Sequence, residues 1–326
     1  MRERSEDLDC LKGVAILLVM FGHVQVHNHM TDPYLYDVIK SLQMPLFFLI
    51  SGYLAGAGTK VRSLAQYGSR VGKRACAYLI PFFAWLVFQH ASYVPRALET
   101  VLFQLDYGLW FLMALFLFTL LAYTAQLAQA RSGRESLFWI VWFAGCAAVL
   151  AAYLAGVTFL SPSILIIYLP YYTAAYFVGL HPEAFAREGR LLSRRRRLLT
   201  WASGVVFLVM AFALDLVTVT GFFMLGVQTL ASFLGCLWVV GMVLDWKSCR
   251  LKTRLAALGQ YTLEIYVLHY QFAAILNPSG RAYVFWSAPG LAYAAAAFAV
   301  MSLITAVLIY LIDRIGPLRF LLFGKR

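Results

Sequence analysis

Leu8–Val24 reads LDCLKGVAILLVMFGHV. Its apolar body is interrupted by Asp9 and Lys12 near one end and His23 near the other. A helix turns about 100° per residue, so the eleven steps from Lys12 to His23 return to within roughly 20° of the starting direction. At about 1.5 Å per residue, His23 then lies about 16 Å deeper on the same face. Asp9 falls about 40° off that face by the same periodicity. The segment is a membrane helix with a charge at its entrance and an imidazole far inside. Ionisable groups at such depth are costly and mark a functional position.

Working outward, the rest of the chain has the same character. Hydrophobic residues make up 62% and charged residues 13%, with mean hydropathy +0.75. Such a composition excludes an ordinary soluble domain. Ten apolar segments are expected to span the bilayer, at 11–26, 42–57, 75–94, 109–130, 136–157, 164–180, 198–218, 222–244, 257–277 and 289–313. The first two are short for a span needing about 20 residues, which leaves them open to being broken or re-entrant. The fold class is therefore all-α, a polytopic integral membrane protein of about ten transmembrane helices in one domain, 1–326.

The formal charge of +12 invites a nucleic-acid partner, but position argues against one. With the N-terminus inside, all but three of the 27 Lys and Arg residues fall on cytoplasmic segments. Only Lys40, Arg96 and Arg281 fall outside, a bias that places both termini in the cytoplasm. The run Arg194–Arg197 reads as a topology anchor before the seventh span, with polyanion binding as the lesser reading. No internal repeat is evident, which weakens a transporter built on inverted repeats. Five cysteines without CxxC spacing point to free thiols, and no Cys/His group has metal-ligand spacing. The N-terminus looks like a secretory signal only superficially. Lys12 and His23 interrupt it and no cleavage site follows, so an uncleaved span is expected.

Other segments also place polar groups at depth. Ser51 and Tyr53 lie in QMPLFFLISGYL (43–54), Pro81 in KRACAYLIPFFAW (73–85), Trp110 in YGLWFLMALF (107–116), and Glu264 and His269 in LGQYTLEIYVLH (258–269). A ninth helix starting near Ala257 would carry His269 about 18 Å inward and Glu264 about 10 Å, with Ser51 about 13 Å in from the opposite end. His269 thus reaches the depth of His23. Thr262, Tyr266 and His269 would share a face. Each residue also has a plain structural reading. His23 or His269 alone can be a packed, hydrogen-bonded side chain. Trp110 can be an interfacial belt residue, and Ser51 can bond its own helix. Glu264 is harder to dismiss, because a buried carboxylate needs a partner. His90 reads as structural, and His27, His29 and His181 as loop residues.

Taken in order, LDCLKGVAILLVMFGH, MPLFFLISGYL, LIPFFAW, LWFLMALF and LGQYTLEIYVLH resemble the membrane acyltransferase 3 family, across Leu8 to His269. The resemblance rests on the family's LD-x-L-[RK]-G opening and its [RK]-x10-H spacing, filled here by Lys12 and His23. It implies an O-acetyltransferase that acylates sugars in a glycolipid, exopolysaccharide or related glycan. The implied co-substrate is a cytoplasmic acyl-CoA, usually acetyl-CoA, with no bound cofactor and no metal. His23 is then the catalytic general base or a transient acyl carrier, both of which need a neutral imidazole. Lys12 either contacts the donor phosphate or organises the site with Asp9 or Glu264. Where the family often carries Arg-x-x-Arg before the third-helix proline, this chain has Arg74 and then Ala77, so Arg70 and Lys73 are expected to complete the acyl-CoA contacts with Arg74. Ser51, Tyr53, Glu264, Tyr266 and His269 are expected to support the acceptor or oxyanion, and Trp110 to stack on a sugar ring. The hydrolase-like domain fused to some members is absent from the sequence, so the chain is expected to act alone or pass on its product. A homo-oligomer or a glycan-assembly partner is compatible with this reading, and a bacterial inner membrane is the expected location. The competing class is a transporter or flippase of a lipid-linked or polymeric sugar, since polar groups at mid-membrane depth also suit a substrate path.

Overall fold

The computed structural model describes residues 5–181, 190–216 and 221–325. In chain order its helices are α1 (Glu6–His27), α2 (Pro33–Ala57), α3 (Leu64–Gln89), α4 (Val94–Phe103), α5 (Trp110–Ser132), α6 (Glu135–Leu154) and α7 (Pro162–Leu180). They continue as α8 (Arg190–Ala213), α9 (Phe222–Asp245), α10 (Arg250–Leu258), α11 (Thr262–Leu268), α12 (Ala288–Asp313) and α13 (Gly316–Phe323). Among the described residues there is no strand, and nine helices are long and apolar enough to cross a membrane: α1–α3, α5–α9 and α12. An unbranched helix satisfies its own backbone in lipid, which is why apolar runs of this length settle as helices. The protein is an all-α polytopic membrane protein.

The expected spans differ from the structure in three places. The first two are neither short nor broken: α1 runs 22 residues and α2 runs 25, continuing through Pro45. The cation-bearing stretch 60–74, expected as a loop, is helical from Leu64. Ser63 accepts a hydrogen bond from the Gln66 amide and Gln66 Oε1 accepts one from the Arg62 amide, a reciprocal cap that starts α3 early. The ninth expected span, 257–277, is not one helix. It breaks into α10, a 3₁₀ turn at Gly259–Tyr261, α11 and a second 3₁₀ turn at His269–Phe272. Of the basic segment 181–197, residues 182–189 lie outside the described residues, as do 217 and 218 of the seventh expected span. Arg196 pairs with Asp245, and Arg197 Nε lies 3.6 Å from the same carboxylate, so the basic run also ties α8 to the end of α9.

The chain divides into two compact units, 1–50 with 183–311 and 51–182 with 312–326. In the first, Cys10, Leu11, Ile50, Val243 and Ala256 form a buried cluster. Lys252 is only 4% exposed. Its ammonium donates to the carbonyls of Val243 (3.0 Å) and Trp246 (2.6 Å) and pairs with Asp7, so it caps the C-terminal end of α9. Lys252→Met is expected to strand these acceptors and cost about 3 kcal/mol, read as a lower thermal midpoint in detergent.

In the second unit, packing relies on small residues. An added Cβ at Gly52 would lie 2.2 Å from the Tyr172 carbonyl oxygen, and one at Gly56 2.1 Å from that of Tyr176, so α2 and α7 touch backbone to backbone. Trp142 is fully buried and its ring lies 4.6 Å from that of Tyr176.

Candidate active site

The first unit brings four rings together. The His23 ring centroid lies 5.2 Å from His269, 5.6 Å from His27 and 5.1 Å from Tyr270. His269 is fully buried. Its Nδ1 lies 2.7 Å from the Ile265 carbonyl oxygen. A carbonyl can only accept, so Nδ1 carries the proton and Nε2 keeps its lone pair. That Nε2 is buried and has no hydrogen-bond partner among the described residues. An orphaned acceptor of this kind costs about 1–3 kcal/mol, which suits a site that receives a donor group at some stage of its work.

Two glycines create this meeting. A Cβ at Gly13 would lie 2.1 Å from the Leu255 carbonyl oxygen, and one at Gly259 would lie 1.8 Å from the Asp9 carbonyl oxygen. Helix α1 therefore rests directly on the backbone of α10 and the turn after it. From that crossing, α1 and the broken segment continue side by side until His23 faces His269. Beyond the histidines, Asn28 holds the far end. Its amide donates to the carbonyls of Val24 and Ala273, both at 2.8 Å, and its oxygen accepts from the Tyr293 hydroxyl at 2.9 Å.

At the near end of α1, Lys12 Nζ lies 3.1 Å from Asp9 Oδ1, and Asp9 is buried. Of the two partners weighed for Lys12, the structure supplies Asp9. Glu264 is fully buried in α11. The half-buried Tyr266 ring lies 6.4 Å from His269.

The second unit holds the other expected residues. Arg74 Nη1 donates to the Tyr78 hydroxyl at 3.1 Å and Nε to the Tyr123 hydroxyl at 3.5 Å. Arg70 donates to the Thr59 carbonyl, and Lys73 is exposed. Lys60 was not singled out from sequence. It donates to the Gly56 carbonyl at 2.7 Å and lies 5.3 Å from the Tyr176 ring centroid, and burial pushes its ammonium below the usual lysine range. Ser51 and Tyr53 are half-buried on either side of Gly52. Trp110 opens α5 and stacks on Tyr168, with centroids 5.0 Å apart and planes at 29°.

Sequence reasoning missed two members of the first site. His27 was expected in a loop, but it closes α1 and is half-buried. Its position four residues after His23 was the available signal. Tyr270, whose ring lies 4.6 Å from His27, follows His269 directly. Gln25, two residues after His23 and so on a different face of α1, is fully buried with neither amide atom bonded among the described residues, and no sequence pattern pointed to it. His90, His29 and His181 sit at helix ends or in a turn. Among the described residues, no cluster of His, Cys, Asp or Glu could hold a metal ion, and the five cysteines are free thiols.

Two comparisons with known proteins add to this geometry. The chain is similar to the nodulation protein NolL of Sinorhizobium fredii, 35% identical across 34% of each chain. It is also similar to the NolL protein of Mesorhizobium japonicum, 28% identical across 43% of this chain and 33% of the relative. The matched region thus spans about a third of the length of these relatives. No solved structure matches. A family model described as an acyltransferase domain matches residues 5–311, taking in the α1 site, the α3 cations and the broken segment. The chain belongs to the membrane acyltransferase 3 family, whose members are acyltransferases.

Proposed function

We propose that this protein is a membrane O-acyltransferase, an O-acetyltransferase in its main activity, that moves an acyl group from acyl-CoA to a sugar hydroxyl of a glycolipid, exopolysaccharide or related glycan. The observation that carries the reading is the His23–His269 pair inside a chain of acyltransferase family. His23 is the only one of the two imidazoles without a backbone carbonyl fixing its tautomer in this structure, so it is the ring available to exchange a proton.

In the direct route the acceptor oxygen bonds to the acyl carbon and its proton passes to His23. The carbon–sulfur bond then breaks, and the leaving thiolate takes the proton from the imidazolium. In the two-step route the His23 nitrogen bonds to the acyl carbon, the carbon–sulfur bond breaks and the leaving thiolate takes the ring's proton; the acceptor hydroxyl then bonds to the same carbon, the carbon–nitrogen bond breaks and the hydroxyl proton returns to His23. His269 is assigned as the orienting neighbour, and Lys12 with Asp9 as the charged pair that organises the near end of α1. Glu264 and Tyr266, with Ser51, Tyr53 and Trp110, are assigned to acceptor or oxyanion support.

Arg74, Arg70 and Lys73 are assigned to the donor phosphates. Arg74 is the principal contact, because two tyrosine hydroxyls orient it. Arg74→Gln is therefore expected to raise the KM for acyl-CoA about tenfold with a smaller change in kcat, and Arg74→Lys to recover only part of it. Steady-state kinetics with varied acyl-CoA checks this.

The reading includes cytoplasmic termini, supported by the charge bias of the loops, a single working domain, supported by one family model crossing both units, and residence in a bacterial inner membrane. The deciding experiment uses purified protein in nanodiscs, labelled acetyl-CoA and a crude glycolipid fraction. Label moving to the glycolipid with release of CoA supports the proposal. Failure with acetyl-CoA and with longer acyl-CoA donors overturns it.

A further inference from the structure

Within the second unit, the end of α3 opposite Arg74 carries a cavity that the mechanism does not use. It has a volume of about 350 Å³ and is lined by His90, Tyr93, Arg96, Thr100 and Tyr107 together with Ala97 and Val101. That volume falls in the range of small-ligand sites. A separate, smaller pocket that shares His90, Val101 and Tyr107 with it reaches Trp85 and Gly108. The α3 rise from Arg74 to His90 sets this cavity about 24 Å from the Arg74 position along the helix.

The wall is a built feature. Arg96 and Thr100 are four residues apart on one face of α4, and Tyr93 is the residue that caps the start of that helix. The segment is held in place: Val101 in α4 and Leu105 in the turn after it are buried. The Leu105 amide donates to Ser161 Oγ at 3.0 Å, and the Leu160 amide donates to the Leu102 carbonyl at 2.7 Å. Leu160 and Ser161 hold φ values of 57° and 45°, left-handed conformations that non-glycine residues adopt at a cost of about 1–3 kcal/mol. The strained pair thus anchors α4 and the turn at Leu105–Tyr107 that carry the lining.

The chemistry of the lining is specific. Tyr93 and Tyr107 are 72% and 68% exposed, offering ring faces and phenol hydroxyls. Among the described residues that line it, Arg96 and His90 are the only titratable groups besides these phenols, and none is a carboxylate. Arg96 makes no ion pair or side-chain hydrogen bond among the described residues. Aromatic faces suit the apolar side of a pyranose, and a planar guanidinium suits a carboxylate or phosphate.

We propose that this cavity is the subsite for an anionic saccharide, with the sugar ring against Tyr93 and Tyr107 and its carboxylate or phosphate on Arg96. The inference rests on the acyltransferase reading for its purpose, naming where that enzyme's acceptor is held, but its test does not depend on turnover. The anion can come from a uronic acid or from a glycosyl phosphate, and the probes separate the two.

Saturation-transfer NMR on the full-length protein in phosphatidylcholine nanodiscs would use methyl glucuronide, glucose 1-phosphate, neutral methyl glucoside and glycerol 3-phosphate. The sugar acid matching the natural anion is expected to bind about tenfold more tightly than methyl glucoside. Arg96→Gln is expected to erase that preference, Tyr107→Ala to remove ring-proton transfer from every sugar, and Arg131→Gln, an exposed cation on α5, to change nothing. Absence of transfer to all three sugars, or transfer unchanged in Arg96→Gln and Tyr107→Ala, would overturn the proposal. Equal binding of glycerol 3-phosphate would also overturn it, by reducing the cavity to a phospholipid-headgroup anchor. Sugar binding without acyl transfer in the same preparation would remove the acyltransferase reading and keep the subsite; acyl transfer without sugar binding would do the reverse.

Discussion

His23→Ala is expected to cripple the proposed acyl transfer, with kcat falling at least about 100-fold and toward 10⁴-fold, the range of a positioned general base. The variant should still fold. His23 is only half-buried and has no hydrogen-bond partner that its loss would strand among the described residues, so an unchanged elution profile and helical circular dichroism are expected. His269→Ala is expected to lose about tenfold, because it removes a neighbour of the reacting ring and leaves the ring itself in place. Acid quenching of wild-type protein with labelled donor separates the chemical routes: label held on the protein and absent from His23→Ala marks the acyl-imidazole, and label seen only on acceptor marks the direct route. Transfer in His23→Ala within a few fold of wild type would remove His23 from the chemistry.

Much of this site was legible because depth along a helix is a matter of counting. His23 and His269 were placed at similar depth from residue numbers alone, and the structure sets their rings 5.2 Å apart. The spans were legible for the same reason, since an apolar run of about 20 residues has few other ways to satisfy its backbone in lipid. The break in the ninth segment was not legible. GQY and HYQF carry no proline and no charge to mark their 3₁₀ geometry in the sequence. The start of α3 was hidden because its first turns are polar, although the Ser63 and Gln66 spacing carried the cap signal. Trp110 illustrates a different limit. Its residue type allowed a belt residue or a sugar platform, and only coordinates reveal that Tyr168 covers one of its faces.

Gly259→Ala is expected to be the most damaging small substitution in the protein, and two effects of opposite sign compete in it. Gly259 has φ −61° and ψ −14°, a right-handed helical conformation that alanine adopts readily. On backbone propensity alone, the change should stabilise by roughly 0.5–1 kcal/mol. The added methyl, however, would sit 1.8 Å from the Asp9 carbonyl oxygen and 3.0 Å from the Gly13 amide nitrogen. Both obstacles are backbone, so relief requires α1 itself to move. Overpacking costs typically about 1–3 kcal/mol and occasionally more, and with both obstacles in the backbone this position falls at the upper end, so the steric effect wins. Gly68→Ala is the matched control: Gly68 lies inside α3 with nothing within 4 Å of an added Cβ, so only the propensity gain acts there. Thermal unfolding should show Gly259→Ala lowered by several degrees and Gly68→Ala unchanged or slightly raised. Because the same crossing aligns His23 with His269, Gly259→Ala should also lose acyl transfer at temperatures where it remains folded. Equal midpoints for the two variants would mean that α1 and the turn at Gly259 separate at little cost, and the backbone contact would no longer explain why the histidines meet.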